Sequence, residues 1–129
     1  MVKAPAVPLK TVPLKTILLV EDADGKRLTR KWLLGSLGYA VDAVRSAEEA
    51  LILFKAETHD VVVAATTLPG MTGPELAQVI KMRSPSTPVL LCTAGPACDD
   101  HSCVDAVVPG MAHVQALVEA LERLLAAAG

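Results

Sequence analysis

Aromatic residues are nearly missing from this chain: Trp32, Tyr39 and Phe54 are the whole set among 129 residues. A surface that stacks on nucleic-acid bases needs several ring faces along one groove, so no such platform is expected. An excess of one charge is missing too. Twelve Lys and Arg face fourteen Asp and Glu, a formal net charge of −2, which leaves no basic field to gather a polyanion or an acidic membrane. The three cysteines are too few and too odd a number for a secreted disulfide framework. No apolar run reaches the roughly 20 residues that cross a bilayer, and prolines interrupt "MVKAPAVPLKTVPLKT" before a signal core can form. The expectation is a cytoplasmic chain. What is abundant is apolar character: 52% hydrophobic against 20% charged residues describes a folded domain of one core.

Residues 1–15 repeat "VPLKT" at 7–11 and again from 12, and read as an extended Pro/Lys-rich arm. A domain over 16–129 follows, in which two patterns alternate. "TILLV" (16–20), "YAVDAV" (39–44), "DVVVAAT" (60–66), "PVLLCT" (88–93) and "DAVV" (105–108) are short, branched and apolar, as buried strands are. Between them lie helix signals. Asp24 is placed to cap a first helix whose apolar stripe is Leu28, Trp32, Leu33 and Leu37, with Gly38 as its stop. "SAEE" (46–49) and "TGPE" (72–75) are capping boxes, the second with Pro74 in the first turn. The helices they open are expected to end near Glu57 and Arg83. Val114, Leu117, Leu121, Leu124 and Leu125 form the core stripe of a last helix. The alternation predicts an open, doubly wound five-stranded parallel sheet with helices on both faces.

In such a sheet the crevice lies beyond the carboxyl ends of the strands. Glu21 and Asp22 follow the first strand there. Adjacent carboxylates at the end of a buried strand must be solvated, paired or bound to a cation. Ala65, Thr66 and Thr67 end the third strand, Thr93 the fourth, and Val108-Pro109 the fifth. Lys26, Arg27, Arg30 and Lys31 make a basic patch on the first helix, which reads as a solvated face.

The order "ILLVED", "GYAVDAVRSAEEAL", "DVVVAATTLPGMTGPELAQVIK", "PSTPVLLCTA" and "DAVVPG" resembles the receiver domain of response regulators, the bacterial two-component and chemotaxis-type signalling family, over residues 16 to 127. The resemblance implies a flavodoxin-like sheet of strand order 2-1-3-4-5 and a site at the strand ends. In that family an acid pair binds Mg²⁺, and an aspartate ending strand 3 accepts a phosphoryl group from a histidine kinase. A Thr or Ser ending strand 4 binds that group, and a Lys before a proline in strand 5 neutralises charge. Glu21 and Asp22 match the acid pair and Thr93 the hydroxyl. The acceptor position falls on Ala65 and the lysine position on Val108. Ala65 has no oxygen to attack phosphorus or ligate metal, and Val108 removes a fixed cation. The expectation is therefore a pseudo-receiver: not an enzyme, requiring no cofactor, with weak or absent Mg²⁺ binding. It would act by phosphorylation-independent contact with a protein partner such as a histidine kinase or an effector. A threonine hydroxyl at Thr66 or Thr67 lacks a general base and is a poor substitute nucleophile.

A second departure lies between Thr93 and Pro109. "AGPACDDHSCVDAVV" is shorter than the family's usual fourth helix and starts with Gly95-Pro96, so that helix is expected to be shortened or absent. Cys98, His101 and Cys103 in this stretch offer thiol and imidazole ligands for zinc, or a Cys98–Cys103 redox pair. The plainer reading is a polar surface loop. A sensor of a small ligand, metal or oxidant, using the altered crevice or this loop, is the alternative function. "LLAAAG" at 124–129 is compatible with a linker to a further domain.

Overall fold

The computed structural model describes residues 15–93, 103–109 and 114–128. Five strands, β1 (Thr16–Val20), β2 (Ala40–Val44), β3 (Val61–Ala65), β4 (Val89–Thr93) and β5 (Ala106–Pro109), form one sheet. Every pairing is parallel and the order is β2-β1-β3-β4-β5. Among the described residues four helices connect them: α1 (Asp24–Ser36), α2 (Ala47–Leu53), α3 (Gly73–Arg83) and α4 (Val114–Ala128). None is long and apolar enough to cross a membrane. The predicted arm over 1–15 lies outside the described residues up to Leu14. The predicted loss of the helix after β4 also falls outside them, at 94–102.

Period-two alternation in the strands divides the core. Ile17, Leu19, Val61, Val63, Leu90, Cys92 and Val108 face Leu34 of α1 and Leu117, Leu121 and Leu125 of α4. Leu18, Val20, Val62, Ala64, Val89 and Leu91 face Ala47 and Ala50 of α2 and Leu76, Ala77 and Ile80 of α3. Burial on both faces explains the apolar runs.

Helix ends follow local chemistry. Thr72 Oγ1 accepts the Glu75 amide at 3.2 Å and Glu75 Oε1 accepts the Thr72 amide at 2.9 Å, a complete capping box. Ser46 caps α2 by accepting the Glu49 amide at 3.1 Å. α1 ends in a Schellman turn: Gly38, at φ +101°, donates to Gly35 O, and Tyr39 donates to Leu34 O. Three expectations are corrected. α2 stops at Leu53, not near Glu57, because Phe54 turns to extended backbone and seats its ring in the core. The N-cap of α1 is Ala23; Asp24 is its first residue and pairs instead with Arg27.

The third correction concerns the face α1 turns inward. Leu28, Trp32 and Leu37 are exposed, Trp32 by 73% and Leu28 by 62%, while Arg27, Arg30 and Leu34 are buried. Leu33 of the predicted stripe is half-buried and Leu37 is the C-cap, so the four residues do not make one core-facing stripe, and the arginines expected in solvent point inward. The reason lies at the end of β1.

Between the start of β3 and strand β2, His59 serves as a clamp. Its Nδ1 accepts the Lys55 amide at 3.0 Å, which leaves the proton on Nε2 to donate to Asp42 Oδ2 at 2.9 Å.

Candidate functional site at the carboxyl ends of the strands

Strand register brings the sequence-predicted residues together. Val20 lies beside Ala64, Ala65 beside Cys92, Cys92 beside Val108, and Thr93 beside Pro109. Glu21 extends β1 by one more rung, its amide donating to Val44 O at 3.1 Å. Glu21, Ala65, Cys92 and Val108 therefore share one row across the sheet, with Thr93 a step above it. Glu21, Ala65, Thr93 and Val108 are buried and Asp22 is exposed.

The middle and far end of this row carry no charge. Ala65 is 8% exposed and contributes a methyl group. Val108 packs into the cluster of Cys92, Leu117 and Leu121. Burial pushes the Cys92 thiol up to about 11; Arg30 pulls it back down and Glu21 adds to the rise, so both charges stand near enough to act on it. Past Ala65, Thr66 is held on both sides. Its hydroxyl and amide donate to Cys92 O, and its carbonyl accepts the Gly73 amide at 2.7 Å. This is a satisfied loop residue and not an activated nucleophile. Gly73 is required there: a Cβ on it would run into the Ala65 carbonyl oxygen and come 2.9 Å from Leu91 Cδ2.

Glu21 is fully engaged. Oε1 accepts from Arg30 Nη1 at 2.7 Å, and Oε2 accepts the Ala23 amide at 3.0 Å. Both partners of the ion pair are enclosed, with side chains 3% and 5% exposed. Arg27 Nη1 donates to the carbonyl oxygens of Glu21 at 3.0 Å and Asp22 at 3.4 Å, and its Nη2 pairs with Asp24. That arginine holds the Asp24 carboxyl below its usual value, by hydrogen bonding first and by charge second. Arg27 and Arg30, expected on a solvated face, are thus residues of the site. Their spacing, three residues apart on the helix that leaves an acid pair, places them on one face without saying which way it points.

The donor set does not fit Mg²⁺, which takes oxygen ligands in near-octahedral array. Ala65 supplies none, Glu21 is occupied by an arginine and an amide, and Asp22 stands alone. Among the described residues no three His, Cys, Asp or Glu side chains converge on a point. Of the zinc or redox candidates, Cys98 and His101 lie outside the described residues. Cys103 is half-buried and packs against the core cluster beneath α2 and α3.

An open parallel sheet of this order, with its crevice at the strand ends, is the flavodoxin-like α/β fold. The sequence profile described as response regulator receiver domain matches residues 17–123, and the chain belongs to that family. It is similar to the two-component response regulator PhoP of Pseudomonas aeruginosa, 40% identical over 78 residues, covering 60% of this chain and 35% of that protein. The chain thus spans about a third of PhoP's length. It is similar in structure to the response regulator TrrA of Thermotoga maritima in complex with Mg²⁺-BeF, at TM-score 0.80 and 28% identity, over 86% of this chain and 99% of that one. TrrA in complex with the histidine kinase ThkA matches at TM-score 0.79 and 29% identity, over 87% and 99%. The chain is a receiver domain of two-component signalling.

Proposed function

We propose that this receiver domain signals without phosphoryl transfer, as a non-enzymatic module that works through protein contact. The observation that carries the reading is Ala65. It closes β3, in register with Cys92, at the position matching the family's acceptor, and it offers no oxygen to phosphorus. Thr66 is committed to Cys92 O, and Val108 gives the far end of the row to core packing.

The contact surface we assign is the outward face of α1. Leu28, Trp32, Gly35 and Ser36 form a shallow groove with Lys31 on its rim. A contiguous exposed apolar patch is a mark of interaction sites, and Trp is enriched at binding hot spots. Lys31 on the rim favours a partner helix whose apolar stripe has an acidic group beside it. A histidine kinase is the partner class that the TrrA–ThkA complex supports.

Intact-mass measurement after incubation with acetyl phosphate and Mg²⁺ tests the first part. The expected result is unmodified protein; a stoichiometric phosphoryl adduct on any residue overturns the reading. Beryllofluoride with Mg²⁺ is expected to leave the amides of Glu21, Asp22, Ala65 and Thr93 unshifted in NMR spectra. For the second part, a purified histidine kinase is titrated against the fluorescence of Trp32. A blue shift that Leu28→Glu abolishes is expected, and no shift removes the assignment of α1 while leaving that of Ala65 intact.

A further inference from the structure

Helix α1 buries two arginines and exposes a tryptophan, which reverses the usual economy of an amphipathic helix. Enclosing an unpaired cation costs several kcal/mol, so each arginine must be matched where it lands. Both land on the end of β1. Arg30 takes one oxygen of Glu21, the Ala23 amide takes the other, and Arg27 takes the carbonyl oxygens of Glu21 and Asp22. The inward face of the helix is thus built around the acid pair.

We propose that Arg30 is the resident cation of this site: a covalently attached counter-ion that occupies Glu21 in place of a divalent metal and fixes the β1–α1 junction in one ligand-independent arrangement. The charge count supports this. Ala65 and Val108 bring nothing, Glu21 and Arg30 cancel, Arg27 and Asp24 cancel, and Asp22 remains as one exposed carboxylate. A metal ion approaching the row would have to displace a guanidinium from a buried carboxylate and then remain beside it. It would regain too few oxygens to offset either cost. The arrangement explains why α1 is oriented as it is, which the loss of an oxygen at Ala65 does not. It therefore extends beyond the reading of Ala65 and fails separately from it.

The test compares the full chain with Ala65→Asp, Arg30→Met and the double variant, titrating MgCl₂ against the amides of Glu21, Asp22 and Ala23. Wild type and Ala65→Asp are expected to show no saturating shift at physiological Mg²⁺. The double variant, with Glu21 released and a carboxylate added, is expected to bind about tenfold or more tightly than Ala65→Asp alone, the range by which a carboxylate's neighbours tune metal affinity. Equal affinity of Ala65→Asp and the double variant overturns the proposal, as does tight binding by wild type. Should Arg30→Met fail to fold, Arg30→Lys is the substitute, retaining the charge while losing the fork; it is expected to remain as unresponsive to Mg²⁺ as wild type, and a metal response would overturn the proposal. The Arg30 Nη resonances of wild type give an independent readout. Slowly exchanging signals that persist through the Mg²⁺ titration support the resident cation, and their loss on Mg²⁺ addition overturns it.

Discussion

Cys92 and Gly73 show how tightly single residues are held around the crevice. The Cys92 thiol is raised by burial from 9.0 to about 11, so the folded state retains a proton that the unfolded chain releases. Stability from this group is full below pH 9 and is lost as pH rises from 9 to about 11. At about 1.4 kcal/mol per unit the loss is on the order of 2–3 kcal/mol. Burial and Glu122 raise Tyr39 as well, which adds loss of the same sign. Urea denaturation across this range is expected to show the decline, and Cys92→Ala to flatten it. Gly73 is constrained by space and not by φ. Gly73→Ala is expected to destabilise by about 1–3 kcal/mol, the usual cost of overpacking, read as a lower urea midpoint at unchanged slope. Of the two, only Cys92 was legible as a buried residue from its place in an apolar strand. That Gly73 touches the Ala65 carbonyl depends on how the start of α3 docks on β3, and composition alone does not carry that distance.

Elements were read well where one physical rule decided them, and poorly where two competed. β1 and the C-terminus of α3 lie where periodicity and capping placed them, and the other strands agree within a residue or two. α1 has the predicted length and turns the opposite face to the core. Leu28 and Trp32 are helically spaced, and so are Arg27, Arg30 and Leu34; spacing identifies stripes without saying which faces in. The acid pair and bare carbonyls at the end of β1 decided it, a demand made by a different element. The orientation makes a sharp prediction. Leu34→Ala empties a fully buried position and is expected to cost about 2–5 kcal/mol. Leu28→Ala, on the same helix with the same chemistry, is expected to change stability by no more than about 0.5 kcal/mol. Chemical denaturation of the two variants settles which face is inside. The candidate site divided similarly: Glu21, Ala65, Thr93 and Val108 follow from strand ends and family resemblance, whereas Arg30 is found only once α1 is rotated.

At the scale of the whole molecule, the two apolar clusters lie on opposite faces of β1, β3 and β4. Neither can lose its strands while the other survives. Thermal unfolding is expected to be a single transition, with equal calorimetric and van't Hoff enthalpies; a calorimetric enthalpy well above the van't Hoff value would mean that one layer melts alone. The uncharged floor of the crevice belongs to this same shared sheet, so a charge placed there must be matched from within the fold. A lysine placed at position 108 would press an ammonium against Leu117 and Leu121, and a carboxylate placed at 65 would lie in the same row as the Glu21–Arg30 pair. Either charge alone is costly, so the floor is expected to tolerate neutral substitutions at these two positions more readily than a single charged one.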